Sequence, residues 1–405
     1  MIEDILRNFT DVYTGHRPGF VSCACGRVEL IGGHTDYNEG FVIAAAIDKC
    51  CQVAAGQRSD NKICLYSEWA CEKHEFALSS DIKAVGRCQW ANYGRGVAAL
   101  LLQEGVELKG TNLYIASDVP VGAGLSSSAA MEVALAKAMI HLSQPGREIS
   151  AMHLAQICQK AENLYANSPC GIMDQTVSIT GRKDRAILLD CRDLSIRYLP
   201  FDSNVCSIMI FNSMVEHKIG GGPVNSKNQV DTVSEYGKCR QHCRQACAAI
   251  SKKYPQIKAL RDADESMLNS VQDKLEPLAF SRARHVIDEN SRVLAAGQAL
   301  SKNDVAKFGR LMSQSHQSAS LLYHISCEQT DFLVEQICQC DGSYGARICG
   351  GGFGGSVVAL VRPEATEEIS KKVHAAYEDR FGLDSDIYMV KPSQGTEIIE
   401  LEQSD

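Results

Sequence analysis

The chain has 405 residues, 45% hydrophobic and 22% charged, with a formal net charge of −8. That length exceeds what one hydrophobic core ordinarily serves, so two domains are expected, with the change near residue 200 (1–200 and 201–405). The acidic balance and the lack of any Lys/Arg run argue against a nucleic-acid partner, and no apolar stretch is long enough to span a bilayer.

Residues 1 to about 20 read as a short helix and a loop ending at Pro18-Gly19. Acidic residues come early and no apolar core of signal-peptide length follows, so a soluble, unexported, cytoplasmic protein is expected. Gly26 to Gly40 reads as an alternating strand broken by Gly32-Gly33, and Phe41–Ala55 and Lys62–Ser67 as further strands. Trp90 to Leu102 has helical periodicity despite its glycines. Asn112–Ala116 alternates, and Met131–Leu142 is apolar at helical spacing. Ile149–Ala166 repeats that pattern, then breaks and restarts through Cys170-Gly-Ile-Met-Asp-Gln175.

Asp184–Asp190, Ile196–Phe201 and Cys206–Asn212 read as consecutive strands. His217–Val230 is a Gly- and Asn-rich loop, and Ser234–Lys252, Arg282–Leu300, Asp304–Tyr323 and Asp331–Gln339 read as helices. A glycine turn from Gly350 to Gly355 leads into the apolar run Ser356–Val361, followed by a closing helix and a final strand.

Between the alternating run and the helix at 131 lies Asp118-Val-Pro-Val-Gly-Ala-Gly-Leu-Ser-Ser-Ser-Ala-Ala-Met-Glu132. Gly122 and Gly124 permit a sharp turn with close backbone approach, and Leu125 carries the chain into Ser126, Ser127 and Ser128. There the free N–H groups of a first helical turn, the hydroxyls and the helix dipole form an anion site, read as a cradle for nucleotide phosphates. A lone serine would read as a helix cap, but three in succession exceed what a cap needs.

The loop lacks the lysine of a Walker A motif, Ser127 replaces the third glycine of the dinucleotide fingerprint, and no serine is followed two residues later by glycine as in a nucleophile elbow. The glycines at 350, 352 and 355 match a dinucleotide pattern but precede a strand, so they read as a hairpin packed against the serine loop.

The chain has 18 cysteines and no Cys-x-x-Cys spacing, so they read as small buried hydrophobes in a reducing compartment. A metal stripe of Cys239, Cys243 and Cys247 beside His242 is the minor alternative.

Phosphoryl transfer needs a phosphate cradle, a divalent metal and a group that orients or deprotonates the acceptor. Ser128 and Glu162 offer hard oxygens for Mg²⁺. Asp174, among Ile172, Met173 and Val177, needs a partner for its charge, and Arg27 on the first strand is the candidate. His34-Thr-Asp-Tyr-Asn38 concentrates donors and acceptors; it reads as a pocket for vicinal hydroxyls through His34 and Asp36, or evenly as an Asx-type turn.

Three stretches in this order, Gly26-Arg-Val-Glu-Leu-Ile-Gly-Gly-His-Thr-Asp-Tyr-Asn, Gly122-Ala-Gly-Leu-Ser-Ser-Ser-Ala-Ala and Gly345-Ala-Arg-Ile-Cys-Gly-Gly-Gly-Phe-Gly-Gly, resemble the signature motifs of the galactokinase branch of the GHMP kinases. Trp90-Ala-Asn-Tyr93, Cys170–Gln175, Ser234-Glu-Tyr236 and Arg282–Val286 are similar to that family as well.

The resemblance implies an α+β, two-lobed fold, with an N-terminal lobe like ribosomal S5 domain 2 and a ferredoxin-like C-terminal lobe. It implies ATP- and Mg²⁺-dependent phosphorylation of the C1 hydroxyl of galactose by a monomer or weak homodimer. By position, Asp174 would be the catalytic base, and Arg27 would stabilise the charge and orient the sugar, both touching the substrate. His34, Asp36, Gly171 and Tyr236 would line the sugar pocket, Gly122–Ser128 would hold phosphates, and Trp90 would pack near adenine. Ser128 and Glu162 would serve Mg²⁺.

Four features depart from the family. Gly33 stands where a glutamate usually contacts the sugar's far hydroxyl, Glu29 replaces an asparagine, Cys25 replaces a proline, and residues 217–233 carry an insertion. Loss of that glutamate predicts weakened galactose binding, or preference for a relative altered at C6 such as arabinose or galacturonate. A sugar- and ATP-binding regulator without catalysis is disfavoured by the intact serine loop, and a mevalonate- or homoserine-type kinase by His34–Asp36.

Overall fold

The structure, a computed structural model, describes residues 2–86, 89–168, 170–215 and 235–401. The insertion at 217–233 lies outside the described residues.

Eight strands build the first sheet: β1 (Phe20–Ile31), β2 (Phe41–Gln57), β3 (Lys62–Ser67), β4 (Glu72–Ala77), β5 (Thr111–Ser117), β6 (Arg185–Asp190), β7 (Ile196–Pro200) and a strand from the chain's end, Thr396–Glu400. The order is terminal strand, β1, β2, β5, β3, β4. β6 pairs with the first half of β2, and β7 with β6. Among the described strands only β3 and β5 run parallel. β1 is buried along its whole length, although its sequence alternates. Helix α1 (Ile2–Val12) sets Ile5 and Phe9 against Val21 and Cys23 on one side. α2 (Ala91–Gln103), α3 (Ser127–Ser143), α4 (Ala151–Tyr165) and α5 (Met173–Thr180) supply the rest of that core.

The second sheet is antiparallel and holds β8 (Ser207–Asn212), β9 (Ser343–Cys349), β10 (Ser356–Val361) and β11 (Ile387–Val390), in the order β11-β8-β10-β9. The strand at Thr396–Glu400 is then β12, and it carries the chain back to pair with β1. α10 (Glu328–Cys338) and α11 (Thr366–Phe381) cover this sheet through Leu333, Ile337, Ile369 and Tyr377. α6 (Glu235–Lys253), α7 (Glu265–Asn269), α8 (Pro277–Ser301) and α9 (Val305–Ser318) complete the lobe.

α8 belongs to two cores. Ala283, Val286 and Ile287 pack with α6, while Val293, Ala296 and Leu300 join the core of the first sheet. One 25-residue helix therefore braces both lobes. Among the described residues no helix is long and apolar enough to cross a membrane.

Three local expectations are corrected. β4 reads Glu-Lys-His-Glu-Phe-Ala and was not expected, because an edge strand tolerates charge on its open side. The closing region holds two strands, β11 and β12, assigned to different sheets. Cys25 and Cys50 are register partners on β1 and β2 and are joined as a disulfide, so these two are not free hydrophobes. Cys239 and Cys243 do lie in a hydrophobic core.

β9 meets α9 glycine to glycine. A Cβ on Gly309 would overlap the Tyr344 carbonyl, and one on Gly345, at φ +156°, would overlap the Gly309 carbonyl. Gly309→Ala should therefore destabilise the protein by about 1–3 kcal/mol through overpacking. Denaturant unfolding of the variant checks this, and an unchanged midpoint would contradict it.

Candidate active site

β1 shifts register against β2 between Cys25 and Arg27, and again between Glu29 and Ile31. Such irregularities re-aim side chains. Here they flank Arg27 and Glu29, which lie two apart and so share one face of the strand. At Gly26 a Cβ would stand 2.7 Å from the Leu125 carbonyl oxygen, and the Arg27 N–H donates to that oxygen at 3.0 Å. The serine loop thus docks directly on β1.

The loop adopts the predicted shape. Gly122 and Gly124 have φ of +78° and +69°, and α3 begins at Ser127. Ser126 is left-handed at φ +59° and gives no capping bond. Its hydroxyl donates to Asp174 Oδ2 at 2.6 Å. The glycine hairpin between β9 and β10 abuts the loop, with the place of a Gly350 Cβ 3.3 Å from Gly124 Cα. A side chain on either glycine would force the facing turn to shift.

A cavity of about 390 Å³ opens where loop, hairpin and β1 converge. At its floor Arg27 Nε and Nη2 donate to the two Asp174 oxygens at 2.8 and 2.6 Å, and Nη1 donates to the Gly124 carbonyl at 2.6 Å. Burial disfavours the Arg27 charge, but the Asp174 carboxylate outweighs it and raises the guanidinium pKa. The side chain of Asp174 keeps partial access to the cleft.

On the loop side, Ser128 Oγ donates to Glu162 Oε1 at 3.0 Å, and Gln175 Nε2 bridges Glu162 Oε2 (2.8 Å) and Glu132 Oε2 (3.2 Å). Burial first, then Asp174, raises the Glu162 pKa against the donors Ser128, Cys170 and Ser168. Burial and Glu162 raise that of Glu132 far more. Glu132 Oε1 and Gln175 Oε1 are buried without a partner. Glu162, which lines the cavity with the Ser128 hydroxyl beside it, offers hard oxygens that suit a divalent cation bringing further oxygens of its own.

At the opposite end, Asp36 presses on the backbone of Gly171, where any Cβ would overlap the carboxylate. Enclosure by protein, then the neighbouring Asp174 and Glu29 charges, push the Asp36 pKa up to about 7. His34 Nδ1 lies 2.6 Å from the Tyr37 hydroxyl, and its ring is 5.3 Å from that of Tyr236. Burial above all, then His285, lowers the His34 pKa to about 3, so the imidazole is neutral. Its Nε2 is buried without a partner.

The turn carrying these groups is fixed by α8. Glu289 Oε1 accepts from the Gly32 N–H at 3.0 Å, Asn290 Oδ1 from the Phe41 N–H at 2.9 Å, and His285 Nε2 donates to the Gly33 carbonyl at 3.2 Å.

Arg27, His34, Asp36, Glu162, Gly171, Asp174 and Tyr236 all line the cavity, together with Gly122 and Gly124–Ser128. Trp90 does not. Its indole N–H donates to Glu72 at 3.0 Å, and Tyr93, one turn further on, lines the cleft instead. Glu29 also lines it, and sequence reasoning had marked that residue only as a departure. Glu289 and Asn290 were not foreseen, since nothing local marks two polar residues on a long helix as partners of a turn some 250 positions earlier.

Comparison with known proteins bears on the same residues. The galactokinase galactose-binding signature matches residues 7–57, the GHMP kinases N terminal domain 92–182, and the GHMP kinases C terminal domain 298–379. The chain is 40% identical to a galactokinase of Roseiflexus sp. over 392 residues, covering 96% of this chain and 95% of that protein. A galactokinase of Chloroflexus aggregans is also 40% identical, over 91% of each. The crystal structure of Lactococcus lactis galactokinase complexed with galactose superposes with a TM-score of 0.88 at 29% identity, covering 98% of this chain and 99% of that one.

Proposed function

The chain belongs to the galactokinase branch of the GHMP kinases, and from that premise we propose that it transfers the terminal phosphoryl group of ATP to the C1 hydroxyl of galactose. The observation that carries this reading is the Arg27–Asp174–Ser126 cluster, which sits where the serine loop meets the His34–Asp36 turn.

The triphosphate lies along Gly122–Ser128, its terminal oxygens facing the free N–H groups and positive end of α3. Asp174, held by Arg27 and Ser126, accepts the proton of the C1 hydroxyl as its oxygen attacks phosphorus. The new O–P bond forms while the bond to the leaving ADP breaks. Arg27 orients the carboxylate and places positive charge beside the transferring group. Asp36 and Tyr236 accept and donate to sugar hydroxyls, and the neutral His34 presents Nε2 to them. Ser128 and Glu162 would hold Mg²⁺, which would supply charge neutralisation at the phosphates.

An ADP-release assay over a panel of aldoses tests the assignment, and turnover of no aldose would overturn it. Asp174→Asn should lower kcat by about 10²–10⁴-fold, with circular dichroism showing a retained fold and a lowered melting temperature, because the buried Arg27 loses its counter-ion. Retained turnover would remove Asp174 from the chemistry. Glu162→Gln should raise the free Mg²⁺ needed for half-maximal rate by about 10-fold or more, read from a magnesium titration at saturating ATP. An unshifted titration would sink that role.

Asp36 is protonated below its folded pKa of about 7 and ionised above it. As kcat/KM reports the free enzyme, that ratio for the sugar should rise with pH through about 7. Asp36→Asn should flatten the rise; a variant profile identical to wild type would exclude Asp36 as its source.

A further inference from the structure

Gly33 is not glycine for conformational reasons, since its φ lies outside the left-handed range. It is glycine because the site of a Cβ is taken. Such a Cβ would stand 2.6 Å from Arg347 Nη2 and 3.5 Å from Glu29 Oε1. Arg347, fully buried on β9, is held there by Glu29, whose Oε1 accepts from Nη1 at 2.5 Å. Three residues from two strands and one turn therefore form a coupled unit. A carboxylate approaches position 33 from β1, the arginine follows it, and residue 33 gives up its side chain.

Glu29 is only 4% exposed, yet it lines the cavity beside Asp36 and His34. Its hydrogen bonds to Arg347 use Oε1 and the main-chain carbonyl, leaving Oε2 for another donor. Beside it, His34 Nε2 is buried without a side-chain partner. Glu29 thus pairs with Arg347 through one carboxylate oxygen and at the same time lines the polar cavity. A carboxylate that lines a sugar site is an acceptor for a hydroxyl.

We infer that Glu29 is a substrate-binding residue that accepts a hydrogen bond from a sugar hydroxyl at position 33's side of the pocket, with Arg347 as its positioning residue. The carboxylate expected to be missing from position 33 is thus delivered from position 29. Recognition of a hydroxyl-bearing hexose such as galactose is kept, and the weakened binding foreseen from Gly33 alone does not follow. This inference rests on the sugar-kinase reading above.

The test is a cycle of Glu29→Gln, Glu29→Asn, Gly33→Glu and the double variant Glu29→Asn/Gly33→Glu, each assayed against galactose, its monodeoxy analogues and ATP. Glu29→Gln should raise KM for galactose roughly 10- to 100-fold, as expected for a lost charge-assisted bond, while KM for ATP stays within about twofold. One deoxygalactose, missing the contacted hydroxyl, should lose its disadvantage in that variant. Gly33→Glu alone should fail, because its side chain meets Arg347. The double variant keeps one carboxylate for Arg347 and should recover most of the galactose affinity, so the cycle can be read even if the single variants fold poorly.

Unchanged galactose KM in Glu29→Gln overturns the inference. So does a parallel loss for galactose, ATP and melting temperature, or a folded double variant no better than Glu29→Asn. Absence of wild-type turnover with every aldose would instead overturn the kinase reading itself, an outcome visible before any variant is made.

Discussion

A charge taken out of water must be paired, and the pair that meets this demand in the cleft is Arg27 with Asp174. Arg27 is 5% exposed, and its three guanidinium nitrogens are all committed, two to the carboxylate and one to the Gly124 carbonyl. Removing either partner would leave the other stranded at large cost. The pair therefore ties β1, the serine loop and α5 into one arrangement. Because Ser126 gives its hydroxyl to the same carboxylate, the serine loop and Asp174 are set by one network.

The second lobe shapes the other half of the site. α8 crosses from one core to the other and on the way supplies Glu289, Asn290 and His285 to the turn at residues 32–41. β9 sends Arg347 to Glu29, and the β9–β10 hairpin lays its glycines against Gly124. β12 returns to pair with β1. The lobes are consequently not hinged on a single linker; they share a helix, an edge strand and a buried ion pair, all converging on the strand that carries Arg27. Precision at the reacting atoms follows from this cross-bracing, since a side chain locked by its neighbours loses little freedom when substrate arrives.

What was legible before any coordinates was local. The strand–glycine loop–helix pattern at 112–142 is found as read, with a helix beginning at Ser127 whose first turn leaves N–H groups unpaired. The strand after Gly355 ruled out a dinucleotide fold and correctly made the hairpin a neighbour of the loop. An aspartate set among apolar residues required a cation, and Arg27 supplies it. Illegible were features whose cause lies far off in the chain: the charged edge strand β4, the pairing of Cys25 with Cys50, and the seat of Trp90, whose indole binds Glu72 while Tyr93 takes the cleft.

The sequence by itself determined the family, the two-lobed α+β fold, and which residues gather at the serine-loop end of the cavity, because motif spacing and helix-start chemistry are short-range and survive without tertiary contacts. Only the tertiary structure decided what Gly33 means. Read along the chain it is a lost carboxylate. In space Glu29 and Arg347, 318 positions apart, fill that volume, and a buried charge settles where its counter-ion lies, irrespective of its distance in sequence.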